Sequence, residues 1–210
     1  MSITINGDGS ITGLSTGGLP DGSVATDDLA ANAVTAGKLA TTLDLTGKTV
    51  TLPAGVGGKV LQVVQAFKSD TFTTASTTYT DLTGLSASIT PASTSNKILV
   101  FYYINGSNTT SGNTVAFQLV RNSTSIAVGD SAGNRPQATN RFQVSDIYHT
   151  FSTSACYVDS PGLTSSITYK VQIATQGNTA TINRTGGDLD TSGSRDARPS
   201  SGIILMEVAA

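Results

Sequence analysis

Charged residues are scarce in this chain. They make up 12% of its 210 residues and leave a formal net charge of -2, whereas ~25% is typical of soluble proteins. No long basic or acidic run occurs, so nucleic acid and anionic membranes are not expected partners. Glu, Lys, Met and Arg, which favour helices, are rare, whereas Thr, Val, Ile, Gly and Asn, which favour strands and turns, are abundant. This composition predicts an all-β protein.

Cysteine and histidine each occur only once. Cys156 cannot form an intrachain disulfide, and we expect it to be a small buried hydrophobic residue in a strand. His149 has Tyr148 and Phe151 as neighbours, which predicts a packed or interface position in a strand rather than a catalytic one. One residue of each type cannot build a Cys/His zinc cluster, so we expect no catalytic site, no metal site and no cofactor.

The sequence contains neither a recognisable export signal nor a membrane span. The first residues lack the basic segment and the apolar core of a secretory signal peptide. No stretch approaches the ~18 consecutive apolar residues of a membrane-spanning helix. We therefore expect a protein that is not exported through a signal peptide and that does not insert into a membrane.

Two copies of a ten-residue pattern stand end to end near the start of the chain. Val24 and Leu29 in the first copy recur as Val34 and Leu39 in the second. A decapeptide cannot bury its own valine and leucine, so it becomes stable only by stacking along the chain or against other chains. The repeat therefore predicts that these four side chains make subunit contacts in an N-terminal connector.

A short hairpin is predicted before the repeat, and we expect it to serve in attachment. Four apolar residues alternate with polar ones around a Gly-Asp-Gly turn: Ile3, Ile5, Ile11 and Leu14. An N-terminal segment with so few large apolar side chains cannot build a monomeric core. We therefore divide the chain at the glycine-rich segment 55–58 into a connector, residues 1–56, and a β-domain, residues 57–210.

The segment that contains the repeat resembles the connector region of bacteriophage fibre and appendage proteins. The likeness covers roughly the first fifty residues and rests on the repeated Val, Leu and Ala of residues 24–40. Those proteins are usually parallel homotrimers that hang from a head or a tail. The resemblance implies a homotrimer that binds other virion proteins through residues 1–56. It also implies location in the virion, after synthesis in the host cytoplasm and release by lysis.

The rest of the chain is long enough for one antiparallel β-sandwich. Nine strands are predicted, at residues 59–67, 84–90, 96–104, 114–121, 125–129, 141–151, 166–174, 180–183 and 202–208. The hairpin at 117–126 and the closing strand resemble C1q/TNF-type heads and fibre tips, which implies a jelly-roll-like knob in a trimer. Strands 98–104 and 203–206 are apolar on both faces, so each needs a second dry contact, which a neighbouring subunit would supply.

One long polar segment lies between the last two predicted strands. Residues 183–199 exceed the ~12–15 residues beyond which a loop is usually functional or disordered. Four of its charged residues form a predicted ligand or receptor loop: Asp188, Asp190, Arg195 and Arg198. These side chains could bind the hydroxyls of a host glycan, a calcium ion or a neighbouring subunit, although the spacing of an EF-hand is missing.

These features favour a structural protein of a bacteriophage particle. It would be a trimeric fibre, spike or decoration subunit that acts in assembly and in adhesion to a host surface glycan or receptor. The alternative is a soluble carbohydrate-binding, lectin-like module, which would not need an attachment segment such as the repeat at 24–40. A third hypothesis, a capsule depolymerase, is disfavoured because the sequence lacks the paired carboxylates and the length of a β-helix enzyme.

Overall fold

The computed structural model describes residues 59–210 continuously and, before them, residues 4, 5, 11, 12, 34, 46 and 47. The chain separates into two units, Met1–Leu52 and Pro53–Ala210. In the first unit, strand β1 (Thr4–Ile5) pairs antiparallel with strand β2 (Ile11–Thr12), with Ile5 opposite Ile11. A strand pair therefore stands where the sequence predicts a hairpin.

Most of the predicted connector contacts lie outside the described residues. This applies to Ile3, Leu14, Val24, Leu29 and Leu39, and to the side chains of Ile5 and Ile11. Val34 is described: it lies in a bend and is 54% exposed. The attachment and subunit contacts assigned to these residues therefore stay predictions, as does the division of the chain at residue 56.

The described part of the second unit, residues 59–210, contains eleven strands. They are β3 (Val60–Lys68), β4 (Phe72–Thr74), β5 (Thr80–Ile89), β6 (Lys97–Asn108), β7 (Thr114–Arg121), β8 (Thr124–Ile126), β9 (Asn140–Gln143), β10 (Phe151–Asp159), β11 (Ile167–Thr175), β12 (Ala180–Ile182) and β13 (Ser201–Val208). A 3-10 turn at Ser194–Asp196 precedes the last strand. No α-helix occurs in the residues that the structure describes.

The eleven strands form two antiparallel sheets. The first sheet has six strands in the order β3-β13-β6-β12-β4, with β10 also paired to β6. The second has five strands in the order β5-β11-β7-β8, with β9 also paired to β7. Between the sheets lie fully buried side chains, among them Tyr102 and Ile104 from the first sheet and Phe117 and Val171 from the second. The predicted all-β fold and its antiparallel sandwich are confirmed.

A buried carboxylate joins the two sheets. Strand β11 alternates, so that Ile167, Tyr169 and Val171 face the core. The Tyr169 hydroxyl donates a hydrogen bond of 2.6 Å to Asp159 Oδ2 on β10. Arg121 Nη1 on β7 donates to both oxygens of the same carboxylate at 2.9 Å. We call these three residues, Arg121, Asp159 and Tyr169, the Asp159 clasp.

A second buried carboxylate fixes the C-terminal strand. Glu207 on β13 accepts hydrogen bonds from Gln62 Nε2 at 2.5 Å, from the Ala92 amide at 2.7 Å and from Asn96 Nδ2 at 2.6 Å. Burial opposes ionisation of this group, but the three hydrogen bonds outweigh that effect and hold the pKa of Glu207 below its ordinary value. The loop between β5 and β6 is thereby fastened to β13.

The prediction of one strand over residues 141–151 is wrong. The structure has β9, then a turn, then the separate strand β10 that begins at Phe151. Asp146 sets the turn, because its carboxylate accepts a hydrogen bond of 2.9 Å from the Tyr148 amide. Such local side-chain bonds compete with extended backbone. The three-residue strand β4 also lacks a sequence prediction, since Phe72 is its only large apolar residue.

Cys156 and His149 differ from their predicted settings. Cys156 lies in a strand as expected, but it is exposed, because Ala155 and Tyr157 occupy the inward positions of β10. His149 lies in the turn before β10 rather than in a strand. Its side chain is 64% exposed, and its Nδ1 atom is 3.9 Å from Asp146 Oδ2. Neither residue is packed in the core of this chain.

Candidate functional surfaces

The long polar loop between β12 and β13 is anchored at its start. Asn183 is fully buried, and its Nδ2 atom donates hydrogen bonds of 2.9 Å to the carbonyl oxygens of Lys68 and Asp70. The amides of Gly186 and Gly187 donate to the Ile147 carbonyl oxygen at 2.7 and 3.0 Å. The loop therefore packs onto the turn that precedes β10.

Ion pairs within the loop satisfy much of its charge. Asp188 accepts from Arg184 Nη1 at 2.6 Å and from Arg198 Nη2 at 2.8 Å. The guanidinium of Arg195 lies 4.5 Å from the centre of the Tyr148 ring. Asp196 is nearly buried, and its carboxylate accepts hydrogen bonds from two threonine hydroxyls of the loop. These contacts are those of a structural network that holds the loop in one shape.

The four predicted ligand residues do not converge on one point. Asp188 and Arg198 pair with each other, and Arg195 stacks on Tyr148. Asp190 is exposed and has no ion pair among the described residues. In the same part of the chain, no group of His, Cys, Asp and Glu side chains is arranged to hold a metal ion. The ligand or receptor role of this loop remains a prediction.

The first sheet presents apolar side chains to solvent. On its edge strand β3, Leu61, Val63 and Phe67 are 49%, 58% and 60% exposed. Val158, on the edge strand β10, is 57% exposed. Single exposed apolar residues are common on protein surfaces. Val63, Phe67 and Val158, by contrast, lie on the same side of one sheet.

The strand register aligns them into three rows across β3, β13, β6 and β10. The rows are Val63-Met206-Leu99-Val158, Gln65-Ile204-Phe101-Cys156 and Phe67-Gly202-Tyr103-Ser154. We call these twelve residues the outer face, and none of them is charged. Gly202 is required there, because a Cβ atom at this position would lie 2.8 Å from the ring of Tyr103. Glycine thus leaves room for the Tyr103 ring beside β13.

This outer face departs from the usual pattern of an antiparallel sheet. A solvated sheet face normally carries polar side chains. The second sheet follows that rule, since Thr168, Lys170 and Gln172 alternate with the core residues of β11. The sequence predicts a second dry contact for strands 98–104 and 203–206. In the structure of the single chain, the side of these strands that faces away from the core forms the middle of the outer face.

Comparisons with known proteins give only distant similarities. No protein-family model matches the sequence, and no curated protein matches it. Among solved structures, a chain of infectious bursal disease virus, Gt strain, has a TM-score of 0.38 and 16% identity over 82% of this chain. A chain of the T13 IBDV particle has a TM-score of 0.38 and 15% identity over 82% of this chain. A chain of Bacillus endospore appendages, which form disulfide-linked pili, has a TM-score of 0.29 and 15% identity over 77%.

The extent of these matches limits what they imply. This chain spans 47% and 44% of the two viral chains and 100% of the appendage chain. TM-scores this low support no inference about function. Within the described residues, no helix has the length and the apolar character needed to cross a membrane. The functional proposal therefore depends on the surfaces of this chain.

Proposed function

We propose that the protein is a structural subunit of a bacteriophage particle, a trimeric fibre, spike or decoration subunit. The observation that supports this proposal is the outer face, which is predominantly apolar, uncharged and continuous across four strands. Its Phe, Tyr and Met side chains are of the types enriched in the cores of protein interfaces. Assembly through buried area, without turnover, is the function that such a surface suits.

Two other copies of this chain, arranged around a threefold axis, are the proposed partners of the outer face. Identical faces with no charged residue meet without like-charge repulsion, and they leave no unpaired charge in the contact. Strands about 4.8 Å apart and rows about 6.8 Å apart give the face a planar area of roughly 400 Å². That is about half of the ~800 Å² that each partner contributes to a standard interface. Contacts made by the connector would supply the remainder.

The connector is proposed to set the number of subunits and the place of attachment. The resemblance to phage connector regions favours three copies, with contacts at Val24, Leu29, Val34 and Leu39. Val34 is 54% exposed in the single chain, which leaves it available for such a contact. Residues 1–56, with the hairpin residues Ile3, Ile5, Ile11 and Leu14, would bind other virion proteins. The exposed end of the long loop, at Asp190, would face a host glycan or receptor.

Substitution of Val63 by aspartate tests this proposal. Val63 is 58% exposed and lies in the first row of the outer face. An unpaired carboxylate buried in a subunit contact costs at least about 3 kcal/mol, which weakens association by about 100-fold. We expect Val63→Asp to be monomeric at micromolar concentration, with an unchanged β-type circular dichroism spectrum, because the side chain points away from the core. Light scattering gives the mass.

Ser86→Asp is the matched control. Ser86 is exposed on β5, an edge strand of the second sheet, so the same charge is introduced into a comparable strand outside the outer face. This variant should keep the mass of the unmodified protein. Equal masses for Val63→Asp and the unmodified trimer would show that the outer face is not the subunit contact. A monomeric unmodified protein would instead favour the soluble, lectin-like alternative.

A further inference from the structure

A hollow opens on the side of the sandwich away from the outer face. It has a volume of about 600 Å³, within the ~300–1,000 Å³ range of small-molecule sites. Three alanines line it, and strand register places Ala116 between Ala174 on β11 and Arg141 on β9. Ala138 belongs to the loop that follows β8. These short side chains form an apolar floor on a sheet face that also carries the polar residues Thr168, Lys170 and Gln172.

Tyr79 forms a fixed aromatic wall of this hollow. Its hydroxyl donates a hydrogen bond of 3.0 Å to the Gln137 carbonyl oxygen. Gln118 Nε2 donates to the same oxygen at 2.6 Å, so the loop that holds it is tied to β7. On the other side, the Thr175 amide donates to the Ser76 carbonyl oxygen at 2.9 Å, which ties the turn before Tyr79 to β11. The ring is therefore held in place before any ligand arrives.

Arg141 supplies an unpaired positive charge at this hollow. It is exposed, and no ion pair or hydrogen bond of its guanidinium is formed with the described residues. It is the charged residue among those that line the hollow. The nearby surface charges of β5 and β11 are already paired, since Lys170 Nζ lies 2.7 Å from Asp81 Oδ2. The unbalanced charge therefore favours an anionic ligand.

We propose that this hollow binds a carboxylated sugar of the uronic-acid type. A sugar ring has an apolar face of C–H groups that can pack on the alanines and on Tyr79, an aromatic side chain with a polar tip. The Arg141 guanidinium matches a carboxylate with two parallel N–H donors. Threonine hydroxyls and the Gln176 amide at the rim can pair with the ring hydroxyls. Such a site would give the subunit a means of adhesion to an acidic polysaccharide.

The test is titration of the intact protein with digalacturonate, followed by ligand-observed NMR and calorimetry. We expect saturable binding, at least about tenfold weaker binding of the neutral disaccharide cellobiose, and weaker binding of benzoate, which carries a carboxylate without hydroxyls. Arg141→Gln should weaken digalacturonate binding at least about tenfold, and Arg141→Lys should restore part of it. Arg135→Gln, which removes an exposed guanidinium in the neighbouring loop, should leave binding unchanged.

Three results would overturn this proposal. The first is no digalacturonate binding up to about 10 mM, which corresponds to a binding free energy weaker than about 3 kcal/mol. The second is equal binding of the acidic and the neutral disaccharide. The third is an unaltered affinity of Arg141→Gln for digalacturonate. The inference does not rest on the proposed assembly role, because Val63 and Arg141 lie on different sheets. A monomer that binds digalacturonate would contradict the assembly role alone. A trimer that does not bind it would contradict this inference alone.

Discussion

Removal of the Asp159 carboxylate should destabilise the sandwich, because this group is shared by both sheets. Its side chain is only 6% exposed, and it accepts from a buried tyrosine hydroxyl and from the partly buried guanidinium of Arg121. Burial and the neighbouring carboxylate raise the pKa of Tyr169, so the phenol stays protonated and donates its hydrogen bond throughout the neutral range. Asp159→Ala leaves that donor without its acceptor inside the fold.

The size of the loss follows from the two groups left behind. A buried hydroxyl that loses its partner costs about 1–3 kcal/mol. The Arg121 side chain is 28% exposed and can turn partly to water, so its unpaired charge adds about 1 kcal/mol. We expect Asp159→Ala to lower the free energy of unfolding by about 2–4 kcal/mol. Asp159→Asn keeps one oxygen acceptor and should cost about half as much.

The loss in the free energy of unfolding is measured by urea titration in the monomeric Val63→Asp background. A monomer is used because subunit assembly would make the measured stability depend on protein concentration. The matched control is Asp81→Ala. It breaks the Lys170–Asp81 pair, in which the Asp81 side chain is 54% exposed, and it should cost about 1 kcal/mol or less. Equal losses for Asp159→Ala and Asp81→Ala would refute the claim that the clasp joins the sheets.

Two further predictions concern pH and the long loop. Because the folded pKa of Glu207 is lowered, its stabilising effect is present above the ordinary pKa of 4.5 and is lost as the pH falls through the folded value. Urea titrations at several pH values give the difference in the free energy of unfolding between the unmodified protein and Glu207→Gln. This difference should shrink below about pH 4.5. A difference that stays constant with pH would contradict the prediction. Exchange of Asp188 and Arg198 for serine should change the free energy of unfolding by less than about 1 kcal/mol, because both are at least one-third exposed. Asp196→Ala should cost about 1–3 kcal/mol, because the hydroxyl of the buried Thr185 loses its acceptor. Equal losses in the two loop variants would contradict the distinction.

Features with a local cause could be predicted from the sequence. The hairpin between β7 and β8 follows from an Asn-Ser turn between two strand-forming runs, and Asn122 has the positive φ of 54° that this residue tolerates. The alternation of apolar and polar residues over Ile167–Ile173 matches the inward and outward sides of β11 in the structure. Strands 98–104 and 203–206 lack this alternation, which indicated that both of their sides are apolar. In the structure, the outward sides of these two strands form the middle of the outer face.

Features that join distant parts of the chain could not be predicted in this way. The Asp159 clasp and the hollow beside Tyr79 each combine residues from several strands, so no local spacing reveals them. Strand β10 was not predicted from the sequence, because small polar residues, among them Ser152 and Ser154, occupy its outward positions. The same strand shows why Cys156 is exposed: its neighbours on the sequence, not its own chemistry, decide which side faces the core.

The mass of the intact protein in solution tests the central claim most directly. The outer face should be covered by other copies of this chain, and the N-terminal repeat favours three of them. Multi-angle light scattering at micromolar concentration is therefore predicted to give three times the chain mass of 21.4 kDa. A species of 21.4 kDa under the same conditions would contradict the proposed assembly and would leave the outer face without its partner.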